Sequence, residues 1–407
     1  MGAARIDYAQ RAMPLMSGLL PRFRAERPFE GLSVAACLHV TAETAVLVRL
    51  LRAGGARVAL AASNPLSTQD DIGAALRGDD GIEVFARAGV DRAGYYRHIV
   101  AAIGDGPDLV VDDGGDLVHT LHTSAAAVLG RVRGGCESTT TGVIRLRRMA
   151  ADGALAFPVI AANDTPAKRM LDNTCGTGQS VLDGILRATN TLLAGKTVVV
   201  AGFGACGAGI ASRAAGLGAR VIVTEVDPVR ALDASLRGYQ VLPMALAASL
   251  GEVFITATGS VDVVGAAEFE LMRDGAILAN AGHFDAEIDV RALAAAAVVV
   301  HEGVRPHADA YELPDGRRLL LLAEGRVVNL VAAEGHPAEV MDLAFGIVAL
   351  SLVWLAGNAG KLSADVHSVP AGIDAEAARL VLAAQGTCID VPTAAQQRYL
   401  ESWRIGS

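Results

Sequence analysis

The chain has 407 residues, a formal net charge of −9 and 52% hydrophobic residues, of which few are aromatic. That length calls for two domains, and the acidic balance offers no footing for nucleic acid or an anionic membrane surface. With so few aromatic rings, the cores must be built from Ala, Val, Leu and Gly, which suits helices packed closely on sheets.

Cys37, Cys136, Cys175, Cys206 and Cys388 are scattered, with no CxxC pair, and read as reduced thiols of a cytoplasmic protein. The first ten residues lack the apolar run of a signal peptide. Residues 343–357 are the longest apolar stretch. It is shorter than the roughly 20 residues a bilayer span needs, so a buried core or subunit-interface helix is expected there.

In chain order, a charged and mixed stretch of about 30 residues comes first. Residues 32–38 (LSVAACL) then read as a buried strand, and Thr41 can cap the helix that follows and closes at Gly54–Gly55. Residues 56–64 form the next strand, with a helix capped at Ser67 or Thr68. Residues 91–103 are helical, and DLVVDDGGD is a strand ending in a carboxylate-rich turn. Residues 134–142 (GGCESTTTG) read as a loop, 157–163 as a strand, and QSVLDGILRATNTLLAG as a helix. Strands alternating with helices predict an α/β fold with a parallel sheet.

The strongest local pattern spans residues 192–227. The apolar run 197–201 meets Gly202, Gly204 and Gly207 at GxGxxG spacing, a small-residue helix follows, and a second apolar run ends at Glu225. Here Gly202 makes the tight turn, Gly204 admits a pyrophosphate to the backbone, and Gly207 lets helix and sheet pack closely. The helix N-terminus meets the phosphates with free N–H groups. A carboxylate at position 225 can bind ribose hydroxyls and repels a 2′-phosphate, so NAD is favoured over NADP. This is a Rossmann unit, with further strands at 239–242, 253–258 and 277–281 and a helix-rich C-terminal region.

Polar groups gather where strands end, the usual ligand position in such sheets. His39 and Thr41 follow the first strand. Asp112, Asp113 and Asp116 follow DLVV. Lys168 and Asp172 are four apart, on one face if helical. His283 and His336 lie in NAGHFD and EGHP. No HxxxH, CxxC or Cys/His cluster marks a metal site.

The motifs CLHVTAETAVL, SNPLSTQDD, DDGGDL, STTTGV, KRMLDN, GTGQSVLDGI, AGFGACGAG, TEVDP, NAGHFDAEIDV, LLAEGRVVNL and EGHP occur in this order between about residues 35 and 340. Together they resemble the S-adenosyl-L-homocysteine hydrolase family, in its short, archaeal-type branch without the lysine–tyrosine C-terminal extension. The resemblance implies a two-domain α/β protein with a cleft between the domains. A substrate-binding domain would span residues 1–178, a Rossmann NAD-binding domain 179–335, a return to the first domain 336–385 and a helical tail 386–407. It also implies a homotetramer or dimer and an adenine nucleoside as substrate. In that chemistry the 3′-hydroxyl is oxidised, the ketone acidifies the C4′ hydrogen, the 5′ substituent leaves, water adds to the resulting ene, and the ketone is reduced back.

By matched position, Lys168 and Asp172 would assist removal of the 3′-hydroxyl proton, and Asp113 and His39 would move protons at C4′ and the leaving group. His283 would sit near C5′, and Asn173 would hold the nicotinamide and the Lys/Asp pair. Thr41, Glu43 and His336 would recognise adenine. Thr139, Thr140, Thr141, Thr258 and Asn329 would join Gly202, Gly204, Gly207 and Glu225 at the cofactor.

The departures cluster at the substrate. The family's two glutamates before its threonines are here Glu137 and Ser138, so the carboxylate that binds the ribose hydroxyls is missing. Cys175 replaces an aromatic residue, and Ile144 a histidine. With the redox and proton-transfer residues retained, these changes favour a nucleoside 5′-dehydratase acting on a modified sugar such as a ketohexose. Reversible hydrolysis of S-adenosylhomocysteine is the alternative, and an NAD-bound regulatory homologue a third reading.

Overall fold

The computed structural model describes residues 1–404, so the last three residues of the expected C-terminal tail lie outside it. Six strands come first: β1 (Ser33–Leu38), β2 (Arg57–Ala62), β3 (Glu83–Phe85), β4 (Leu109–Asp112), β5 (Gly134–Glu137) and β6 (Val159–Ala161). Then follow β7 (Thr197–Ala201), β8 (Arg220–Thr224), β9 (Gln240–Val241), β10 (Val253–Thr256), β11 (Ile277–Asn280), β12 (Val299–Arg305), β13 (Ala308–Glu312) and β14 (Arg318–Leu322). The last is β15 (Val366–Ser368).

They form two sheets. One runs β15-β6-β5-β4-β1-β2-β3 and is parallel throughout. The other runs β12-β13-β14-β11-β10-β7-β8-β9, parallel except for an antiparallel edge at β12, β13 and β14. The central strands are continuous apolar runs because helices cover both faces. Apolar clusters pack each sheet separately. The chain leaves the first sheet after β6, builds the second, and returns through β15.

Several local expectations are corrected. The mixed N-terminal stretch is two helices, Gly2–Arg11 and Pro14–Glu26, whose Ile6, Leu15, Met16 and Phe23 enter the first core. The stretch 134–142 is no loop. Gly134–Glu137 is a buried strand, and Thr139 caps a helix over Thr140–Ala151. Ser67 caps nothing: it lies in a single turn, Pro65–Ser67, and the helix starts at Asp70.

The long apolar stretch belongs to a helix, Ala338–Asn358, whose 21 residues are enough to cross a bilayer by length. Its residues are largely buried in the first core, and Asp342 accepts the Leu15 and Met16 N–H groups, each at 2.9 Å.

Candidate active site

The C-terminal ends of both sheets open onto one cleft of about 1660 Å³, including its open mouth. Strand order β4-β1-β2 sets three loops side by side at its floor, and β7 and β10 face them from the second sheet.

The glycine turn follows β7. Gly202 has φ +91°, and a Cβ on Gly207 would lie 1.8 Å from the Gly202 carbonyl oxygen, so only glycine fits there. Gly204 lines the cleft, with Ala205 and Cys206 at the start of the helix Ala205–Gly216. Glu225 follows β8 and accepts N–H groups from Phe203 (2.7 Å), Val226 (2.7 Å) and Asp227 (3.0 Å). Burial raises its pKa, but these donors outweigh it and hold the carboxyl below its usual range.

A second group stands on a continuous helical segment. It starts at Pro166, widens into a π-helical turn at Arg169–Gly176 and continues as an α-helix to Thr189. Such turns often accompany functional sites. Lys168 Nζ lies 3.1 Å from Asp172 Oδ1, and it donates to Asn163 Oδ1 at 2.9 Å and Asn173 Oδ1 at 3.2 Å. His336 Nδ1 sits 3.6 Å from Asp172 Oδ2. Burial works against an ionised Asp172, yet Lys168 and His336 together hold its carboxyl well below the ordinary range.

The third group faces it. His39 Nε2 is 3.4 Å from Asp113 Oδ2, and His283 Nδ1 is 3.8 Å from Asp113 Oδ1. Donor atoms of the three residues all lie within 4.8 Å of one another, a set that could hold a metal ion although no sequence spacing announces it. Burial lowers the His39 pKa to about 4; Asp113 opposes this, while His283 and His336 reinforce it. The loop carrying His283 is pinned by Asn280, whose amide donates to the carbonyls of Gly282 (3.2 Å), Phe284 (2.8 Å) and Gly325 (3.0 Å).

A family model described as S-adenosyl-L-homocysteine hydrolase matches residues 1–129, and one described as S-adenosyl-L-homocysteine hydrolase, NAD binding domain, matches 173–335. The adenosylhomocysteinase of Aquifex aeolicus is 53% identical over 406 residues, covering 100% of this chain and 97% of its own. That of Aeropyrum pernix is 54% identical over 403 residues, covering 99% and 96%. The chain belongs to the S-adenosyl-L-homocysteine hydrolase family. A likeness of fold alone extends to a dipicolinate synthase polypeptide from Bacillus halodurans, with a TM-score of 0.52 at 15% identity over 81% of this chain and 99% of that one.

NAD is the cofactor of this hydrolase-family chain, and the residues present fit it. The turn at Gly202–Gly207 is too tight for a side chain at Gly207. Asn329 lines the cleft with a buried Oδ1 that has no protein partner among the described residues, while its amide donates to Ser180 Oγ at 3.0 Å. Glu287, which the sequence does not single out, sits beneath the opposite lip. It accepts from Thr258 N (2.8 Å), Thr258 Oγ1 (2.6 Å) and Gly259 N (2.9 Å).

The cleft brings together His39, Thr41, Glu43, Asp113, Ser138, Thr139, Thr140, Thr141, Lys168, Asp172, Asn173, Gly204, Thr258, His283, Asn329 and His336. Gly202, Gly207 and Glu225 shape its edge without lining it. Cys175 is a correction: it is exposed and outside the cleft. Around that helical turn Asp172, Asn173, Gly176 and Thr177 face inward, which puts position 175 on the far side.

Two expected roles look different in place. The Thr139 hydroxyl donates to Glu137 Oε1 at 2.7 Å and caps Gly142 N at 3.0 Å. The Ser138 hydroxyl donates to the Asp112 carbonyl at 3.2 Å. Glu137 is fully buried, and burial with Asp112 and Asp113 nearby drives its carboxyl well up. It supports the Gly114 and Thr139 N–H groups at 3.0 and 2.8 Å and does not line the cleft. Asn163, which holds Lys168, is visible in the sequence only as a turn former after a strand.

Proposed function

We propose that the chain cleaves the 5′ substituent of an adenine nucleoside through transient oxidation of the ribose 3′-carbon, and that its reaction is the reversible hydrolysis of S-adenosyl-L-homocysteine to adenosine and homocysteine. The observation that carries this is the meeting, in one cleft, of the buried Lys168–Asp172–Asn173 group, the His39–Asp113–His283 group and the glycine turn. Identity above 50% along the full length to adenosylhomocysteinases favours hydrolysis over the dehydration expected from the sequence.

Bound at the glycine turn, NAD supplies reversible oxidation of the 3′-carbon. Lys168, an ammonium held between Asp172, Asn163 and Asn173 in the resting cleft, first releases one proton to solvent; as the neutral amine it then takes the 3′-hydroxyl proton and returns it at the end. The 3′-ketone makes the C4′ hydrogen acidic enough for a side chain to remove. The His39–Asp113 pair takes that proton and delivers one to the sulfur as the C5′–S bond breaks. Water then adds across the 4′,5′-ene, its proton going to C4′ and its oxygen to C5′. These are positioned acid–base steps of the kind that side chains accelerate by roughly 10²–10⁴-fold each.

The test has two readings. On mixing with adenosine, a reduced-nicotinamide absorbance should appear, and S-adenosylhomocysteine with a thiol reagent should release homocysteine at enzymatic rates. No reduction with any adenine nucleoside would overturn the oxidation chemistry. Reduction without homocysteine release would overturn hydrolysis.

One observation favours a second reading, a nucleoside 5′-dehydratase. Ser138 offers no carboxylate to the sugar, and Glu137 is turned inward, which leaves room for an added sugar substituent. We also propose a cytoplasmic homotetramer, supported by the free cysteines and by the family resemblance.

A further inference from the structure

Ser67 has the residue type of a helix cap, but the fold gives it another task. It lies five residues past the end of β2, and His39 and Asp113 follow the neighbouring strands β1 and β4. Its Oγ lies 2.6 Å from His39 Nδ1 and donates to the Asn64 carbonyl at 3.1 Å. A hydroxyl has one hydrogen. While that hydrogen is on Asn64, the oxygen accepts from the histidine and Nδ1 carries the ring proton; turned to Nδ1, it would leave the ring proton on Nε2 instead.

The turn that holds Ser67 is braced. Asn64 Oδ1 accepts from Leu66 N at 2.9 Å, Thr68 Oγ1 donates to Asn64 O at 3.0 Å, and Ser67 is 4% exposed. In the Nδ1–H form Nε2 is the nitrogen with a free lone pair, 3.4 Å from Asp113 Oδ2. The other titratable groups near the ring are His283, with ring centroids 6.0 Å apart, and His336. Burial keeps the ring neutral at neutral pH, so the choice of tautomer decides what it can do.

We propose that Ser67 is a positioning residue that holds His39 as its Nδ1–H tautomer and so makes Nε2 the atom that exchanges a proton with Asp113 and the 5′ leaving group. The catalytic half of this statement rests on the function proposed above; the tautomer does not. No atom is gained or lost: the proton taken by Nε2 at C4′ is the one handed to the leaving heteroatom.

The wild-type protein with 13C-labelled histidine, assigned through His39→Gln, reports the tautomer by the His39 Cδ2 shift. The Nδ1–H form is expected, and the Nε2–H form would overturn the proposal without any Ser67 variant. In Ser67→Ala, cofactor reduction by adenosine should keep its amplitude. The 5′ cleavage step should slow roughly 10–100-fold, the usual range for losing the partner that orients a functional histidine, and its pH profile should shift. Ser67→Thr, which keeps the hydroxyl, should recover most of the rate. An unchanged tautomer and pH profile in Ser67→Ala would overturn the proposal. Absence of cofactor reduction in the wild type would defeat the proposed function and leave the tautomer result standing.

Discussion

Lys168 Nζ stands 3.1 Å from Asp172 Oδ1, and the two side chains are only 7% and 8% exposed. A buried pair of this kind contributes little net stability, but removing one member strands the other charge. Lys168→Met should therefore lower stability by about 3 kcal/mol, measured by urea unfolding. It should also abolish cofactor reduction while NAD stays bound, read by absorbance and by nucleotide content after gel filtration. Retained reduction would remove Lys168 from its role.

The pH dependence of stability follows from two groups. His39 has a folded pKa of about 4, below the unfolded value of about 6.5. The unfolded chain binds the proton first, so stability should fall as pH drops from about 6.5 to 4, by about 3 kcal/mol. Asp172 is depressed as well, so its contribution is complete above about pH 4 and disappears in more acid solution. His39→Gln should flatten the upper part of the curve and Asp172→Asn the lower. An unaltered curve in either variant contradicts the assignment.

Glu225 accepts three backbone N–H groups beside the glycine turn. Glu225→Ser should weaken NAD by about 10–100-fold, as expected for loss of charged hydrogen bonds of roughly 1.5–3 kcal/mol. It should also narrow the preference over NADP. Calorimetric titration of cofactor-free protein with both dinucleotides checks this; equal losses for the two would mean Glu225 does not discriminate them.

Ser138 separates the two functional readings. If the native reaction is hydrolysis of S-adenosylhomocysteine, Ser138→Glu should raise kcat/KM for it or leave it unchanged. If the native sugar carries an extra substituent, the variant should lose its native substrate and gain ordinary riboses, because a site built for hydroxyls discriminates strongly. The ratio of kcat/KM across a panel of adenine nucleosides decides between them.

The nucleotide turn is clear in the sequence because a strand, three spaced glycines, a helix and a terminal acid must all occur together. The ends of β1 and β4 are equally legible, since continuous apolar runs stop just before His39 and before the Asp112–Asp113 pair. Residues 134–137 are not, because two glycines, a cysteine and a glutamate show neither alternation nor β-branching. They form a strand only because β4 and β6 enclose them. Ser67 misleads for a related reason: helix-cap chemistry and a buried side-chain contact use the same residue type. Cys175 misleads because residue spacing does not show the π-helical turn that carries it to the outer side.

That widened turn at Arg169–Gly176 sets where Lys168, Asp172 and Asn173 stand in the cleft. Compared with a plain α-helix it holds surplus chain between Lys168 and the nucleotide-facing helix Thr177–Thr189. If the same residues, all retained, wound at ordinary α-helical pitch, that surplus would go into extra turn. Everything N-terminal to it would then rotate by about 100°, which swings the lysine out of the cleft while every side chain of the site is still present. In the proposed reaction the winding of one helix, as much as the identity of its residues, aims Lys168 at the sugar.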